Sequence, residues 1–444
     1  MTTLPPSPSS PRFVQALATL TQPHRGMRRM RERYGDAFTI HLPPFGDAPV
    51  ISDPGEIRQL FQASTDVAET LEPNLGRVLG PGSLFALKGD EHRSQRKLLI
   101  PPFHGRRLAA FEQLVEDETV RELATWPEGR PFPVLPSTAR ITLNAILRAV
   151  FGAEGAELEE LRELLPRMVT LGSRLLFLPI PQGGGRWSPW GRYRAARQKY
   201  DAIVDRLVDK AERDERLDER NDVLAMMLQS RYEDGTAMSR RDLADQLLTL
   251  LAAGHETTAT TLAWLVERLR RHPNVLHDLV VEVDAGGKEL REASIIEVQR
   301  VRPVIDIVGR HIKSDIQLGR WTVPKGRNVL VSIDLIHDDP AVFPNPRAFD
   351  PSRFLGTKPD LHHWIPFGGG IRRCLGAAFA SMELNVVLRT TLRDFTLVPT
   401  SDPDERWRSR GVANAPAKGG IAVVHRRAIR VLPAAAGATT GARS

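Results

Sequence analysis

The sequence predicts a mainly α-helical fold with small β-sheets, formed as one large unit around a long central helix. Three observations carry that reading. The run from Ser239 to about Arg271 keeps helical character and is apolar around most of its circumference in the middle, as a helix surrounded by protein must be. Helical periodicity recurs along most of the chain, whereas strand-like runs are short and never alternate with helices in a β-α-β pattern. No internal repeat and no polar linker divides the chain, although 444 residues would suffice for two or three domains.

Composition sets outer limits on function. Apolar residues make up 41% and charged residues 26%, an ordinary globular mixture with ample material for a core. The formal charge is +7, but the arginines that dominate it are spread over the chain and not gathered beside aromatic platforms, which argues against nucleic acid. Residues 1–12 lack the apolar stretch of a signal peptide. No run of about 18 uninterrupted apolar residues offers a membrane span, and a single cysteine suits a reducing compartment. The expectation is a soluble, cytoplasmic monomer without a membrane anchor.

Residues 1–19 are expected to be disordered, 20–433 to form the folded domain and 434–444 to be a disordered tail. A helical patch at Gly26–Tyr34 precedes strands at Ala37–Leu42 and Pro49–Ser52, and Pro54 opens a helix through Leu60. From Glu69 to Leu87 the chain is irregular and glycine-rich, yet unusually apolar for a surface loop. Helices follow at Asp90–Leu99, Arg106–Ala124, from an N-cap at Ser137 to Val150, Glu157–Leu171 and Trp190–Arg213. The stretch Leu175–Gln182 and the glycines after it read equally as a mobile lid or a plain connection. Ser239 and Asp242 form a capping pair for the central helix, which Pro273 closes. Helices at Pro273–Val283 and Glu292–Val301 come next, then short strands at Val308–Ile312 and within Trp321–Val331. A proline-rich loop over 336–366, a helix at Ala377–Leu392 and a strand at Ile421–Val424 complete the chain.

Chemistry concentrates in a few places. Cys374, the one cysteine, sits in Phe367-Gly368-Gly369-Gly370-Ile371-Arg372-Arg373-Cys374-Leu375-Gly376, so disulfide frameworks and multi-cysteine zinc sites are excluded. It is either a small buried hydrophobe or a liganding or reactive thiolate; the adjacent arginines and glycines favour the second. On the central helix lies Ala253-Gly254-His255-Glu256-Thr257-Thr258. Mid-helix glycine costs about 1 kcal/mol relative to alanine, so Gly254 needs either a close ligand or tight helix packing. Glu256 and Thr257 place an acid beside an alcohol where burial of an ionisable group is costly unless it is used. His255-Glu256 opens a His-Glu-x-x-His zinc pattern, but residue 259 is alanine and the second ligand is missing. Glu297 and Arg300 share one helix face, and Arg353 in the segment Phe349–Phe354 is placed to join them. His92 and Arg96 lie one helical turn apart; with Arg310 and Arg372 they form a candidate anion-binding set, or else an exposed face.

In this order and spacing the motifs resemble those of the cytochrome P-450 family of haem-thiolate monooxygenases, in its soluble bacterial form. The match covers residues 20–430 and is most specific in the ten-residue cysteine segment; Ile371 and Ser352 depart from the family's frequent proline and glutamate. The resemblance implies a P-450 fold with haem b (iron protoporphyrin IX) between the central helix and the cysteine loop. It makes Cys374 the iron ligand, with Phe367, Gly368 and Gly376 against the cofactor. It gives His92, Arg96, Arg310 and Arg372 the propionates, and Glu297, Arg300 and Arg353 a structural triad. Ala253 and Gly254 would leave room for O2, and Glu256 with Thr257 would deliver protons. Leu75, Val78, Leu84, Phe85, Phe177, Leu248, Ala252, Val304, Ile305 and Val412 would line an apolar substrate pocket, with Asp306 as a polar exception that either binds substrate or turns into a hydrogen-bonded loop.

The implied reaction is insertion of one oxygen atom from O2 into an apolar small molecule such as a terpenoid, steroid or fatty acid. Electrons would come from a separate ferredoxin and ferredoxin reductase, or a flavodoxin, docking on Arg106, Arg107, Arg372 and Arg373. A peroxide-dependent haem enzyme or haem-based sensor of the same fold is the alternative. A cysteine-nucleophile hydrolase with His362 or His363 as base would leave the glycine–arginine segment without a role.

Overall fold

The structure, a computed structural model, describes residues 4–11, 15, 23–42, 46–71, 75–103, 105–152, 155–176 and 185–428. Helix α1 (Pro23–Tyr34) leads into strands β1 (Ala37–Leu42) and β2 (Gly46–Ile51), helix α2 (Pro54–Gln62) and strand β3 (Ala68–Thr70). Helices α3 (Leu75–Leu79), α4 (Gly89–Leu99) and α5 (Arg106–Leu123) precede β4 (Phe132–Pro133). Then come α6 (Leu135–Phe151), α7 (Ala156–Leu175), α8 (Pro189–Glu212), α9 (Val223–Gln229), α10 (Arg240–Arg271), α11 (Pro273–Asp284) and α12 (Glu289–Val301). Strands β5 (Ile307–Ile312), β6 (Ile316–Leu318), β7 (Trp321–Val323) and β8 (Asn328–Ser332) are followed by α13 (Ile333–His337) and α14 (Ala377–Asp394). Short strands β9 (Phe395–Leu397), β10 (Trp407–Arg410), β11 (Ala413–Pro416), β12 (Ile421–Ala422) and β13 (Val424–Arg426) end the described chain. The predicted class, mainly α with small sheets, is the observed one.

Helix α10 is the axis of the molecule. Ser239 accepts the Asp242 N–H as its N-cap, and 32 helical residues follow before Pro273. Its second half is buried on every side, with Trp264 at 0% exposure. Two threonines of α6 satisfy α10 from outside: the Thr142 hydroxyl donates to the His255 carbonyl (2.8 Å) and Thr138 to Ala259 (2.9 Å). These bonds fix the register of α6 against the stretch that carries Glu256 and Thr257. Helix α14 begins directly after the cysteine loop and also packs on α10, so one helix pair holds both candidate halves of the site.

The main sheet has the order β1-β2-β8-β5-β3. The N-terminal segment, expected to be disordered, is ordered over residues 4–11: the Thr39 N–H donates to Pro6 (2.8 Å) and its hydroxyl to Pro5 (2.8 Å). Proline carbonyls remain good acceptors although prolines donate nothing, so a Pro-rich arm can line the sheet edge. Residues 434–444, expected as a tail, lie outside the described residues. Ser137 is not an N-cap; it stands inside α6 and accepts a hydrogen bond from Trp126 Nε1 at 2.6 Å. Helices α3, α9 and α13 were not expected, being too short for a periodic signal.

Candidate active site

The cysteine loop folds back on itself, with the Cys374 N–H donating to the Phe367 carbonyl at 2.9 Å. Gly368 and Gly370 adopt φ of 63° and 65°, which other residues tolerate poorly. A Cβ on Gly369 or Gly370 would stand 2.2 Å from the ring or the carbonyl oxygen of Phe61 at the end of α2. Part of the glycine requirement thus comes from protein packing and not from a flat ligand, as the sequence had implied. Gly376 has open space where a Cβ would project, and its backbone N–H donates to the Cys374 sulfur.

Cys374 keeps accessible surface, yet protein encloses it closely enough for burial to push its thiol up. Those two facts agree if the sulfur faces interior space. Gly376, Arg96 and Arg373 pull the pKa back down but do not outweigh burial. The adjacent arginines favour the thiolate, as the sequence implied, but burial outweighs them; a metal on the sulfur would reverse that balance. No histidine is among the groups that shift this thiol, which removes the support for a cysteine–histidine nucleophile.

Around the loop lies an excess of enclosed positive charge. His92 is buried, its Nδ1 has no hydrogen-bond partner, and burial with Arg372 and Arg96 nearby lowers its pKa to about 4. Arg310 is lowered to about 10 by burial; among the described residues its guanidinium reaches only the carbonyls of Gly309 (2.9 Å) and Gly369 (3.4 Å) and the face of Phe61. Arg96 is also lowered by burial and, among the described residues, has no carboxylate partner. Glu69 is the one acid in this group, 2.8 Å from Arg372. An unpaired His92 and two arginines without anions are what a pair of carboxylates would complete. The set therefore fits a porphyrin's propionates, and the sulfur donor with its Gly376 N–H fits iron. Arg372 fits less simply. Its guanidinium is engaged by Glu69 and by the carbonyls of Leu84 (2.7 Å) and Leu87 (2.6 Å), leaving only Nε unpartnered. That engagement also withdraws Arg372 from a docking face, whereas Arg373 is exposed. The side chains of Arg106 and Arg107 lie outside the description.

Glu297 and Arg300 form a bidentate pair, both bonds 2.7 Å, with neither side chain exposed. Arg353 Nε approaches the same carboxylate at 3.6 Å, and the Asp350 N–H donates to it at 2.9 Å. Sequence reasoning missed how this triad reaches the cysteine loop. Arg300 donates to the His337 carbonyl (2.9 Å), while His337 Nε2 accepts the Ile365 N–H (2.9 Å), two residues before Phe367. Burial and Arg300 lower His337 to about 3, so it stays a neutral acceptor.

On α10, Ala253, Gly254, Glu256 and Thr257 retain accessible surface in a helix otherwise largely buried. A Cβ on Gly254 would meet Ile146 at an ordinary 3.4 Å, so packing alone does not demand glycine. The Thr257 hydroxyl donates to the Ala253 carbonyl at 2.8 Å, which leaves its lone pairs available. Burial raises the Glu256 pKa; Arg410 of β10, 3.8 Å away, opposes that. Among the proposed pocket residues, Val78, Leu84, Leu248 and Val304 are packed into the main core. Leu75, Phe85, Ala252 and Ile305 are half-buried, Val412 is exposed, and Phe177 lies outside the described residues, as does most of the 175–182 stretch. Asp306 lies 3.8 Å from His24 and contacts Asn414, and its carbonyl accepts the Ile333 N–H at 2.8 Å, contacts that belong to the hydrogen-bonded-loop reading of this residue.

Two further features escaped sequence reading. Glu383 of α14 is buried and, among the described residues, has no charged partner; its Oε1 is unbonded, and burial pushes its pKa to about 8 against a hydrogen bond with Thr258. Its place on the buried stripe with Phe379, Val386 and Val387 was the available signal. The loop after α3 is strapped to α10: Asp245 accepts the Gly82 N–H (2.9 Å) and pairs with Arg197 of α8, and Thr249 donates to Ser83 (2.7 Å). A Cβ on Gly80 would overlap the Asp245 carboxylate.

Fold and site together define a haem-thiolate oxidoreductase scaffold, and the family comparison agrees. The cytochrome P450 family model matches residues 5–423, and the chain belongs to the cytochrome P450 family. It is 53% identical over 426 residues, 96% of this chain and 97% of the other, to a protein provisionally named cytochrome P450 138 in Mycobacterium tuberculosis. A second relative from that organism, provisionally named cytochrome P450 135B1, is 37% identical over 446 residues, covering 98% of this chain and 94% of its own. Retinoic acid-bound cyanobacterial CYP120A1 superposes with a TM-score of 0.84 at 24% identity, covering 96% of this chain and 100% of that one. The cytochrome P450DA haem domain gives 0.85 at 21%, covering 96% and 98%. Both establish the shared fold. Membership makes the protein a haem-dependent oxidoreductase of monooxygenase type. Among the described residues no helix is long and apolar enough to cross a membrane.

Proposed function

We propose that the protein inserts one oxygen atom from O2 into an apolar small molecule, hydroxylating or epoxidising a terpenoid, steroid or fatty-acid-like substrate. Electrons would come from a separate ferredoxin with its reductase, or a flavodoxin, and the enzyme would work as a cytoplasmic monomer. The observation that carries this reading is the pairing of one enclosed cysteine, held by a backbone N–H, with an acid and an alcohol on the accessible strip of the central helix.

Haem, when bound, supplies the dioxygen chemistry. In this reading, Cys374 is its iron ligand, with the Gly376 N–H sharing the sulfur's charge, and His92, Arg96 and Arg310 hold its carboxylates. Glu297, Arg300, Arg353 and His337 fix the loop that presents the sulfur. Across the site, Ala253 and Gly254 keep the helix surface low. Burial keeps Glu256 protonated to higher pH than an ordinary glutamate, which suits a proton donor; Thr257 takes up a proton at a free lone pair and releases its own hydroxyl hydrogen inward, giving up its bond to the Ala253 carbonyl. The half-buried Leu75, Phe85, Ala252 and Ile305 give the substrate an apolar wall. The Glu256–Thr257 pair favours O2 over peroxide as the oxidant. Turnover with NAD(P)H and redox partners, compared with turnover on hydrogen peroxide, tests the reading; activity with peroxide alone would replace it. A screen of terpenoids, steroids and fatty acids for substrate-induced spectral shifts identifies the class.

A further inference from the structure

Arg410 was absent from every sequence motif, yet the fold sets it beside the acid. It ends β10, pairs with Ala413 across a tight turn, and its Nε lies 3.8 Å from Glu256 Oε1. Among the described residues its guanidinium makes no hydrogen bond, so that ion pair is its one polar contact there. The turn is anchored on its far side. The Asn414 N–H donates to the Val304 carbonyl and Trp264 Nε1 to the Asn414 carbonyl, both at 2.8 Å. On its near side it touches the end of α7: Gly411 has φ 79°, and a Cβ there would stand 2.6 Å from Cβ of Ser173. The turn that carries Arg410 is thus seated where α7 and α10 meet.

Among the described residues Glu256 has no other counter-charge. His255, beside it on α10, points away and bonds the Leu251 carbonyl at 2.8 Å. The α6 side chains that bond α10 in this stretch, Thr138 and Thr142, are uncharged, and Glu383 of α14 bonds Thr258 instead. An exposed arginine at 3.8 Å contributes little to folding stability. Facing an acid with 18% exposure and no second partner, however, it decides how readily that acid ionises.

We propose that Arg410 is the positioning residue for the proton-delivering acid: it stabilises the Glu256 carboxylate left after a proton moves toward Thr257, and the seating of α7 on its turn sets how close it stands. The carboxylate then regains its proton from solvent on the half-exposed Arg410 side, so protons balance over the cycle. This rests on the acid role proposed for Glu256.

The test uses the haem-loaded enzyme with Arg410→Gln, Arg410→Lys and Glu256→Gln. An infrared pH titration of the carboxyl stretch, with Glu256→Gln marking the Glu256 band, reads the acid directly. The Glu256 midpoint should rise by about one unit in Arg410→Gln and return toward wild type in Arg410→Lys. With styrene as probe substrate, the hydrogen peroxide released per NAD(P)H should rise in Glu256→Gln and Arg410→Gln, and its pH dependence should shift with the infrared midpoint. If Glu256→Gln leaves the peroxide fraction at the wild-type level, the acid role falls and this inference with it. If Glu256→Gln raises it while Arg410→Gln moves neither readout, the acid role stands and Arg410 is overturned.

Discussion

Replacing Glu383 with glutamine should remove a specific pH dependence of stability. Glu383 is 1% exposed, has no charged partner among the described residues, and is held at about 8 by burial, well above the ordinary 4.5 of a glutamate. Because its folded pKa is raised, the native protein retains a proton that the unfolded chain releases. The associated stability is fully present below about pH 4.5 and is lost progressively as pH rises through 8. From those two values, the wild type should lose about 2 kcal/mol between pH 6 and pH 8 at this one site. Glutamine has the same shape and no charge at any pH, so the variant should lack that slope and be the more stable protein at pH 8. Denaturant unfolding of the holoprotein at pH 6, 7 and 8 measures this, other titrating groups cancelling in the comparison. Parallel pH dependences for the two proteins would refute the reasoning.

Thr257→Ala should retain the haem spectrum while diverting electrons from product into hydrogen peroxide; NAD(P)H consumption measured against product checks this, and wild-type coupling would contradict the role. Glu297→Ala strands Arg300 in the core without its bidentate partner, which costs about 3–5 kcal/mol, and should abolish haem incorporation, read as the haem-to-protein absorbance ratio. Asp245→Ala should cost about 2 kcal/mol by removing the buried partner of Arg197, which keeps only the more exposed Asp201, and by leaving the Gly82 N–H unbonded. Hydrogen exchange at residues 80–85 should rise with it, and unchanged protection there would show that Asp245 does not hold the strap.

Much of this was legible because its signals are local. The Ser239 cap and Pro273 bracket α10 within a residue of the expected ends, and the Glu297–Arg300 spacing places both groups on one face of α12. The cysteine loop was legible as a motif but only half explained, since the contact of Gly369 and Gly370 with Phe61 joins segments some three hundred residues apart. His337 and Arg410 act through tertiary contacts, and no periodicity marks a histidine at the end of a five-residue helix or an arginine at the end of a four-residue strand. Arg372 shows the limit of carrying a role from a motif: its spacing fits an anion site, while Glu69 and two carbonyls already engage most of its donors.

The central claim is that Cys374, whose thiol is held up by burial, becomes a thiolate on haem iron. The reduced protein's absorbance spectrum under carbon monoxide tests it most directly. A strongly red-shifted Soret band is predicted for the wild type and its loss in Cys374→Ser; a well-folded, haem-loaded wild type without that shift would contradict the assignment.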